Sequence, residues 1–203
     1  MTIAERFKWV WMTIQHRGIL RTSKNAQFDS IYQISDPWQM ESEREQLRFQ
    51  ETNRIIEQEL GKIGTLLELG CGEGHQTAYL SRLCERLYGF DVSKAAVSRA
   101  QQRCPEARLS VADILSYQPE LKKFDLVVAC EILYYIKDVP AAISRMNELG
   151  ARCMVTYYQF GPCNLDPFFS GIKGMKSKII QAGDFSWKAV WWNTTRSRDE
   201  GPS

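Results

Sequence analysis

A glycine-rich stretch after a short apolar run is the part of this chain best suited to ligand chemistry. The run Thr65–Leu69 contains the acid Glu68, and glycines follow at the alternate positions 70, 72 and 74. A strand, a glycine turn and a helix from His75 to about Leu83 form a site where a nucleotide-type ligand approaches the backbone closely. The spacing differs from that of a dinucleotide site, which requires glycine where His75 stands. A plain turn that needs glycines only for positive φ is the alternative.

An acid after the second predicted strand favours the nucleotide interpretation. The strand within Arg86–Ser93 ends in Asp91, about 20 residues after the glycine turn. Nucleotide-binding βαβ units place their ribose contact at this interval, and one carboxylate can accept from both ribose hydroxyls. Ser93 is then the predicted N-cap of a helix over Lys94–Gln102. A simple strand-end cap is the alternative role for Asp91.

Two further strands are predicted downstream. Ala107–Val111 is followed by Asp113 and Ile114, and Phe124–Ala129 is an almost continuous apolar run. Such a run is typical of a central parallel strand that is buried on both faces. It leads into the segment 130–136, which begins with Cys130 and Glu131.

These four segments, in this order, resemble the motifs of the class I S-adenosylmethionine-dependent methyltransferases. The resemblance implies an α/β, Rossmann-like fold with a seven-stranded, mostly parallel sheet, an antiparallel C-terminal hairpin and an N-terminal helical cap. It implies S-adenosyl-L-methionine as cofactor, with Asp113 accepting from the adenine amino group and Ile114 packing on the ring. The residues that we expect to bind the cofactor are Arg48, Glu68, Gly70, Cys71, Gly72, Gly74, His75, Asp91, Val92, Asp113, Ile114 and Cys130.

A narrower resemblance rests on three elements. Asp36-Pro37-Trp38, then Arg48, and then Glu131-Ile132-Leu133-Tyr134-Tyr135 resemble the nodulation-type N-methyltransferases over roughly residues 28–160. Those enzymes methylate the free amine of a deacetylated chitooligosaccharide. The resemblance implies an acceptor amine, or a hydroxyl, on a small molecule such as an amino sugar or oligosaccharide. A methyltransferase of another small metabolite and a catalytically silent binding or partner subunit are the alternatives, and the intact glycines and acids favour an enzyme.

Side chains for catalysis are expected after the fourth strand. Methyl transfer from a sulfonium mainly requires alignment and exclusion of water, and an amine must arrive unprotonated. Glu131 is the leading base or orienting group, followed by Tyr134, Tyr32 and His75; a cofactor ligand or a helix cap is the alternative for Glu131. Trp38, Tyr134 and Tyr135 are the candidate acceptor-binding aromatics, and tyrosine faces can also attract the sulfonium.

The elements around this site form one domain, 1–203. It comprises a helical cap over 1–60, a cofactor-binding core over 61–160, and a loop with a C-terminal hairpin over 161–203. Within the cap, Asp36 as N-cap and Pro37 predict a charged helix to about Leu60. We expect residues 1–60 to act as a mobile cover over the site.

Further predicted elements are a helix over Pro140–Leu149 and strands over Arg152–Tyr158, Lys176–Gln181 and Phe185–Asn193. Near the N-terminus, Phe7, Trp11 and Ile14 recur at helical spacing, which predicts a helix packed on the domain, with a membrane-surface or dimer contact as the alternative.

Composition limits the partners. The formal net charge of +2 does not indicate nucleic acid, and the 44% hydrophobic content supports a real core. We expect no metal, because the six cysteines form no Cys-x-x-Cys pair and only two histidines are present. Free cysteines are typical of a reducing cytosol. We therefore expect a cytoplasmic protein without a membrane span, acting as a monomer or homodimer on a small molecule.

Overall fold

The computed structural model describes residues 25–159 and 163–194. Its helices are α1 (Asn25–Ile31), α2 (Glu43–Leu60), α3 (His75–Leu80), α4 (Lys94–Arg103), α5 (Val139–Leu149) and α6 (Asp166–Phe169), with 3₁₀ turns at Ser81–Leu83 and Leu133–Tyr135. Its strands are β1 (Ile63–Leu69), β2 (Cys84–Asp91), β3 (Arg108–Val111), β4 (Leu126–Cys130), β5 (Arg152–Tyr158), β6 (Lys176–Ala182) and β7 (Phe185–Asn193). The predicted helix around Phe7–Ile14 and the tail beyond Thr194 lie outside the described residues.

The seven strands form one sheet in the order β3-β2-β1-β4-β5-β7-β6. Strands β1 to β5 pair in parallel, whereas β7 pairs antiparallel to both β5 and β6. The chain leaves β1 toward β2 and β3 and later returns to β4 on the other side of β1. This reversal creates a crevice at the carboxyl ends of β1 and β4, where open α/β sheets bind their ligands. The predicted seven-stranded sheet with an antiparallel C-terminal hairpin is confirmed.

Successive side chains of the central strands point to opposite faces of the sheet, so the core has two main clusters, one on each face. Leu67 and Val127 pack with the apolar side of α5, including Met146. Leu66 and Val128 pack on the opposite face, beneath α2 and α3. Consecutive residues of a strand point to opposite faces, so a strand covered on both sides must be apolar throughout. Burial on both faces therefore explains the near-continuous apolar runs in the sequence.

The helix predicted from Asp36 begins instead at Glu43, so its predicted start is wrong. Asp36 has φ +47°, and its carboxylate accepts from the Met40 and Glu41 N–H groups at 2.6 and 3.2 Å, which closes a turn ahead of the helix. Gln39 also has positive φ, and Ser42 stands at the N-cap. The chain between 32 and 42 is therefore a compact loop that crosses the carboxyl edge of the sheet.

Helix α2 has a buried face that is charged in its first turns and apolar further on. Glu45 and Arg48 are buried near its start, and Ile55 and Ile56 are buried toward its end. Ile55 and Ile56 belong to the cluster that covers one face of the sheet, so the helix contributes to the core despite its many charges. Within the part of the chain that the structure describes, no helix combines the length and apolar character required to cross a membrane.

Candidate active site

The glycine turn lies at the carboxyl end of β1, and each of its glycines has positive φ. A Cβ on Gly70 would lie 2.5 Å from Ile132 Cγ2, and one on Gly72 would lie 3.0 Å from the Tyr32 hydroxyl. A Cβ on Gly74 would lie 2.9 Å from the Cα of Ala100 in α4. The three glycines therefore meet three different elements, and at each position both the conformation and the space require glycine.

Asp91, at the end of β2, is held beside this turn. Its Oδ2 accepts from the Gly72 N–H at 3.0 Å and its Oδ1 from the Ser93 N–H at 2.9 Å. Ser93 also caps α4, as predicted, by accepting from the Ala96 N–H. Burial raises the pKa of Asp91, and the backbone N–H groups oppose that rise. The carboxylate is fixed in direction, and its remaining lone pairs are available to a ligand.

The other expected cofactor contacts line the same edge. Val92 follows Asp91, and Asp113 and Ile114 follow β3. Ile114 is buried in the same cluster as Phe90 and Tyr117. Asp113 Oδ1 accepts from the Leu115 N–H at 3.0 Å, which closes a tight turn. The structure thus brings the third predicted acid to the same edge as Asp91.

Glu68, Cys71 and Cys130 are buried in or next to the glycine turn. Glu68 Oε2 accepts from the Thr77 hydroxyl at 2.6 Å, and burial raises the pKa of Glu68 to about 8. Burial also raises the pKa of Cys130 to about 12 and that of Cys71 well above its ordinary value. Thiols that stay protonated are poor nucleophiles, so both cysteines act as small apolar packing groups.

Glu131 follows β4 with φ +60°, a conformation that residues with a side chain rarely adopt. Its backbone N–H donates to the Thr156 carbonyl at 2.9 Å, and Oε2 accepts from the Tyr134 hydroxyl at 3.1 Å. Its Oε1 is buried and makes no hydrogen bond of normal geometry with the described residues, although the nearby Thr156 side chain helps to lower the pKa of Glu131. Burial, opposed by the Arg48 guanidinium, raises the pKa of Glu131 to about 7. A strained backbone that presents an unsatisfied carboxylate oxygen is typical of functional sites.

The Arg48 guanidinium is almost fully buried and already engaged. Its Nε donates to Glu45 Oε2 at 2.8 Å, and Nη1 donates to Gln76 Oε1 at 3.0 Å. Burial opposes its charge, but the carboxylates of Glu45 and Glu131 raise its pKa above the ordinary value. The predicted contact between Arg48 and the cofactor remains a prediction.

The predicted aromatic residues cluster above the glycine turn. Trp38 Nε1 donates to the Tyr32 hydroxyl at 3.1 Å, and the Trp38 ring lies 6.0 Å from that of Tyr135. Tyr135 also makes an edge contact with Phe28 at 5.7 Å and with Tyr134 at 4.6 Å. Residues far apart in the sequence thus form one aromatic wall between the turn and Glu131.

The pKa values separate Glu131 from the two tyrosine candidates for catalysis. Burial, and then the charge of Asp91, raise the pKa of Tyr32 well above its ordinary value. Burial and the charge of Glu131 do the same for the pKa of Tyr134. Both phenols therefore stay protonated at neutral pH and act as hydrogen-bond donors or acceptors. Glu131 is the member of this group whose charge changes near neutrality.

Sequence reasoning overlooked Glu73, although it lies between Gly72 and Gly74. Its Oε2 accepts from the Asp36 N–H at 2.7 Å, and its carboxylate pairs with Arg99. Arg99 in turn donates to the Tyr32 carbonyl at 2.6 Å. Glu73 thus ties the 32–42 loop to the turn. An acid inside a glycine motif was the available signal.

The sheet order, the turn at the end of β1 and the acid at the end of β2 define the class I methyltransferase fold. The crystal structure of N-methyltransferase NodS from Bradyrhizobium japonicum WM9 in complex with S-adenosyl-L-homocysteine superposes with a TM-score of 0.71 at 22% identity. The match covers 83% of this chain and 97% of that one. Magnesium protoporphyrin IX methyltransferase from Synechocystis superposes with a TM-score of 0.58 at 17% identity over 72% and 77% of the two chains.

The sequence comparisons identify the family. The family model described as Nodulation protein S (NodS) matches residues 23–151, which is more than half of the chain, so this chain belongs to the NodS family. Nodulation protein S of Sinorhizobium fredii is 35% identical over 118 residues, covering 56% of this chain and 54% of the relative. Nodulation protein S of Bradyrhizobium diazoefficiens is 34% identical over 110 residues, covering 52% of each. The matched region spans about half the length of these curated relatives.

Proposed function

We propose that this chain is an S-adenosylmethionine-dependent methyltransferase that methylates an amine, or a hydroxyl, of a small molecule such as an amino sugar or oligosaccharide. The observation that carries the proposal is the fixed Asp91 carboxylate beside the glycine turn, at the switch point of a class I sheet. Membership of the NodS family supports the same cofactor, as does the superposition on a NodS crystal structure in complex with S-adenosyl-L-homocysteine.

The residues present fit that cofactor. Asp91 has free lone pairs for two ribose hydroxyls, Ile114 offers a buried apolar surface for the adenine ring, and the glycines leave room for backbone contact. S-adenosylmethionine supplies a methyl group on a positively charged sulfur, which is already activated for transfer. The chain therefore needs to orient the acceptor, exclude water and accept the proton that the acceptor loses.

Glu131 is proposed to hold or deprotonate the acceptor. Its Oε1 has no hydrogen-bond partner among the described residues, and its pKa of about 7 allows it to exchange a proton near neutrality. Tyr134 fixes the other oxygen. The aromatic wall of Tyr32, Trp38 and Tyr135 excludes water and offers a flat apolar surface to a sugar ring.

The same contacts support different roles for three segments of the chain. We propose that residues 1–60 act as the helical cap, 61–160 as the cofactor-binding core, and 161–203 as the loop and C-terminal hairpin of one domain. Two hydrogen bonds support a cap that lies beside the core. The Asp36 N–H donates to Glu73, and Trp38 donates to the Tyr32 hydroxyl within the 32–42 loop.

Calorimetry followed by product detection tests the proposal. Titration with S-adenosylhomocysteine should show saturable binding, and NAD should show none. Incubation with S-adenosylmethionine and a panel of amino sugars, hydroxylated metabolites and peptides should release S-adenosylhomocysteine with one acceptor class. Binding without release from any acceptor would favour a silent subunit, and tight NAD binding without a response to S-adenosylhomocysteine would overturn the proposal.

A further inference from the structure

Three possible metal ligands meet outside the proposed acceptor pocket. One ligand atom each of Asp36, Glu73 and His75 lies within 4.8 Å of the others, and this is the group of this kind found among the described residues. Asp36 comes from the loop before α2, whereas Glu73 and His75 border the glycine turn. The sequence predicted no metal because it has no Cys-x-x-Cys pair and only two histidines. This group instead combines one histidine with two acids, and Asp36 lies 37 residues before Glu73.

His75 provides the independent observation. Only 8% of its side chain is exposed, yet Nε2 has no hydrogen-bond partner among the described residues. The nearest acidic oxygen, Glu73 Oε2, is 3.9 Å away, which is too long for a hydrogen bond. A buried imidazole nitrogen without a hydrogen-bond partner, close to two carboxylates, is a metal-ligand arrangement.

We propose that Asp36, Glu73 and His75 bind a divalent transition-metal ion of the zinc type. Such ions lie about 2.0–2.2 Å from imidazole nitrogen and carboxylate oxygen, so the three side chains need to close by about 1 Å. Backbone N–H groups of Met40 and Glu41 orient the Asp36 carboxylate, and hydrogen bonds of this kind commonly orient the ligands of a metal ion.

The charges around the three side chains are compatible with a bound cation. Arg99 pairs with Glu73, and Arg103 lies 3.6 Å from Glu41, so two guanidinium groups face the three carboxylates of this region. One negative charge remains in excess before the ion enters. An open cleft lined by His75, Gln46, Tyr79 and Arg103 gives the site a path to solvent.

The ion would tie the 32–42 loop to the glycine turn. The loop already reaches that turn through the Asp36 N–H and Glu73. A metal bridge between Asp36 and His75 adds a second, stronger connection. The inference does not depend on the proposed methyl transfer, since it concerns binding of the ion alone.

Titration of the metal-free full chain with Zn²⁺ and with Co²⁺ tests the site at neutral pH without cofactor. We expect one strong site by calorimetry and a visible Co²⁺ absorption band. Loss of one ligand, in Asp36→Asn or in His75→Gln, should weaken binding by at least about 100-fold, beyond the 10–100-fold typical of residues that only orient a ligand.

Glu41→Gln is the matched control, because it removes an acid of the same cleft outside the three ligands and should change affinity only a few-fold. Circular dichroism checks that each variant is folded. Equal affinity in the parent and in both ligand variants would assign the ion to the free cysteines or to an adventitious ion only, and would overturn the proposal. Absence of binding in the folded parent would do the same.

Discussion

The Tyr32 hydroxyl lies 3.0 Å from the point where a Cβ on Gly72 would stand. This relationship means that the loop before α2 covers the glycine turn directly. The Tyr32 carbonyl is held by Arg99 and its hydroxyl by Trp38, so the ring has little freedom to withdraw.

Gly72→Ala should therefore weaken binding of S-adenosylhomocysteine by about 10-fold or more, which is about 1.4 kcal/mol or more. The added methyl group forces Tyr32 outward, and a left-handed alanine adds about 1 kcal/mol of strain. Gly61→Ala is the matched control, because Gly61 has φ +64° with open space around its Cβ position. The control should lose stability but keep affinity, as measured by urea unfolding and calorimetry. Equal affinity in both variants would mean that the cofactor does not approach Gly72.

Asp91→Ala should cost about 1.5–3 kcal/mol of cofactor binding free energy, the usual scale for hydrogen bonds to a charged group. The fold should persist, since the carboxylate lies at a strand end. Asp138→Ala is a suitable comparison, because Asp138 also accepts a hydrogen bond from a backbone N–H, that of Ala141 at 2.9 Å. Asp138 caps α5, outside the expected cofactor contacts. That comparison variant should lose stability alone. Unchanged affinity of Asp91→Ala by calorimetry would place the ribose elsewhere.

Glu131→Gln should reduce turnover by roughly 10²–10⁴-fold and leave S-adenosylhomocysteine affinity nearly unchanged. Turnover of the parent should rise with pH through about 7, because the carboxylate is needed in its charged form. Tyr134→Phe should shift this rise to higher pH, because the Tyr134 hydrogen bond lowers the pKa of Glu131. Steady-state rates from mildly acidic to mildly alkaline pH measure both effects. Weaker cofactor binding with normal turnover at saturation would instead make Glu131 a cofactor ligand.

Glu68 should make the protein less stable as pH rises. Its pKa of about 8 in the folded state lies above the ordinary value of 4.5, so the folded state holds a proton that the unfolded state has released. The contribution is present below about pH 4.5 and is lost as pH rises to about 8, with a slope of at most about 1.4 kcal/mol per pH unit. Glu68→Gln should flatten this part of the profile in urea unfolding between these two pH values. An equal slope in parent and variant would show that Glu68 is charged when folded.

The 32–42 loop should exchange its amide hydrogens more slowly when S-adenosylhomocysteine and an acceptor bind. Ligand-covering loops open at low free energy. Glu73 contacts this loop directly through the Asp36 N–H, and indirectly through its ion pair with Arg99, which donates to the Tyr32 carbonyl. Glu73→Gln should speed exchange at residues 36–41 in the free protein, because the ion pair with Arg99 is lost. Mass spectrometry of exchanged peptides follows both, with the buried α5 segment as an internal reference. Identical loop exchange in free and bound protein would remove the cover hypothesis.

The central strands were predictable because burial on both faces requires uninterrupted apolar residues, as in Leu126–Cys130. The acid Asp91 was predictable from its interval to the glycines. Boundaries were less accurate: the helix after the glycine turn was predicted to extend to Leu83, but it ends at Leu80 and continues as a 3₁₀ turn. Such ends depend on local backbone hydrogen bonds that composition does not reveal.

Long-range polar contacts were not predictable. Asp36 has the residue type and the Pro37 neighbour of a helix start, yet its own N–H bonds to Glu73 and the helix begins at Glu43. Arg48 was expected to be free for a ligand, whereas Glu45 and Gln76 hold it. In each case, a partner distant in sequence or one turn away decides the conformation, and a single sequence does not show which partner is chosen.

The close contact between Gly74 and Ala100 means that a residue outside the pocket also determines the position of the glycine turn. Helices α3 and α4 approach here so closely that a Cβ on Gly74 would lie 2.9 Å from the Ala100 Cα. The reverse substitution is equally informative, since a larger residue at Ala100 would push the glycine turn away from Asp91 without touching any ligand. Random mutagenesis for altered cofactor affinity should accordingly recover changes at this helix crossing, and engineering of the pocket should hold Ala100 constant.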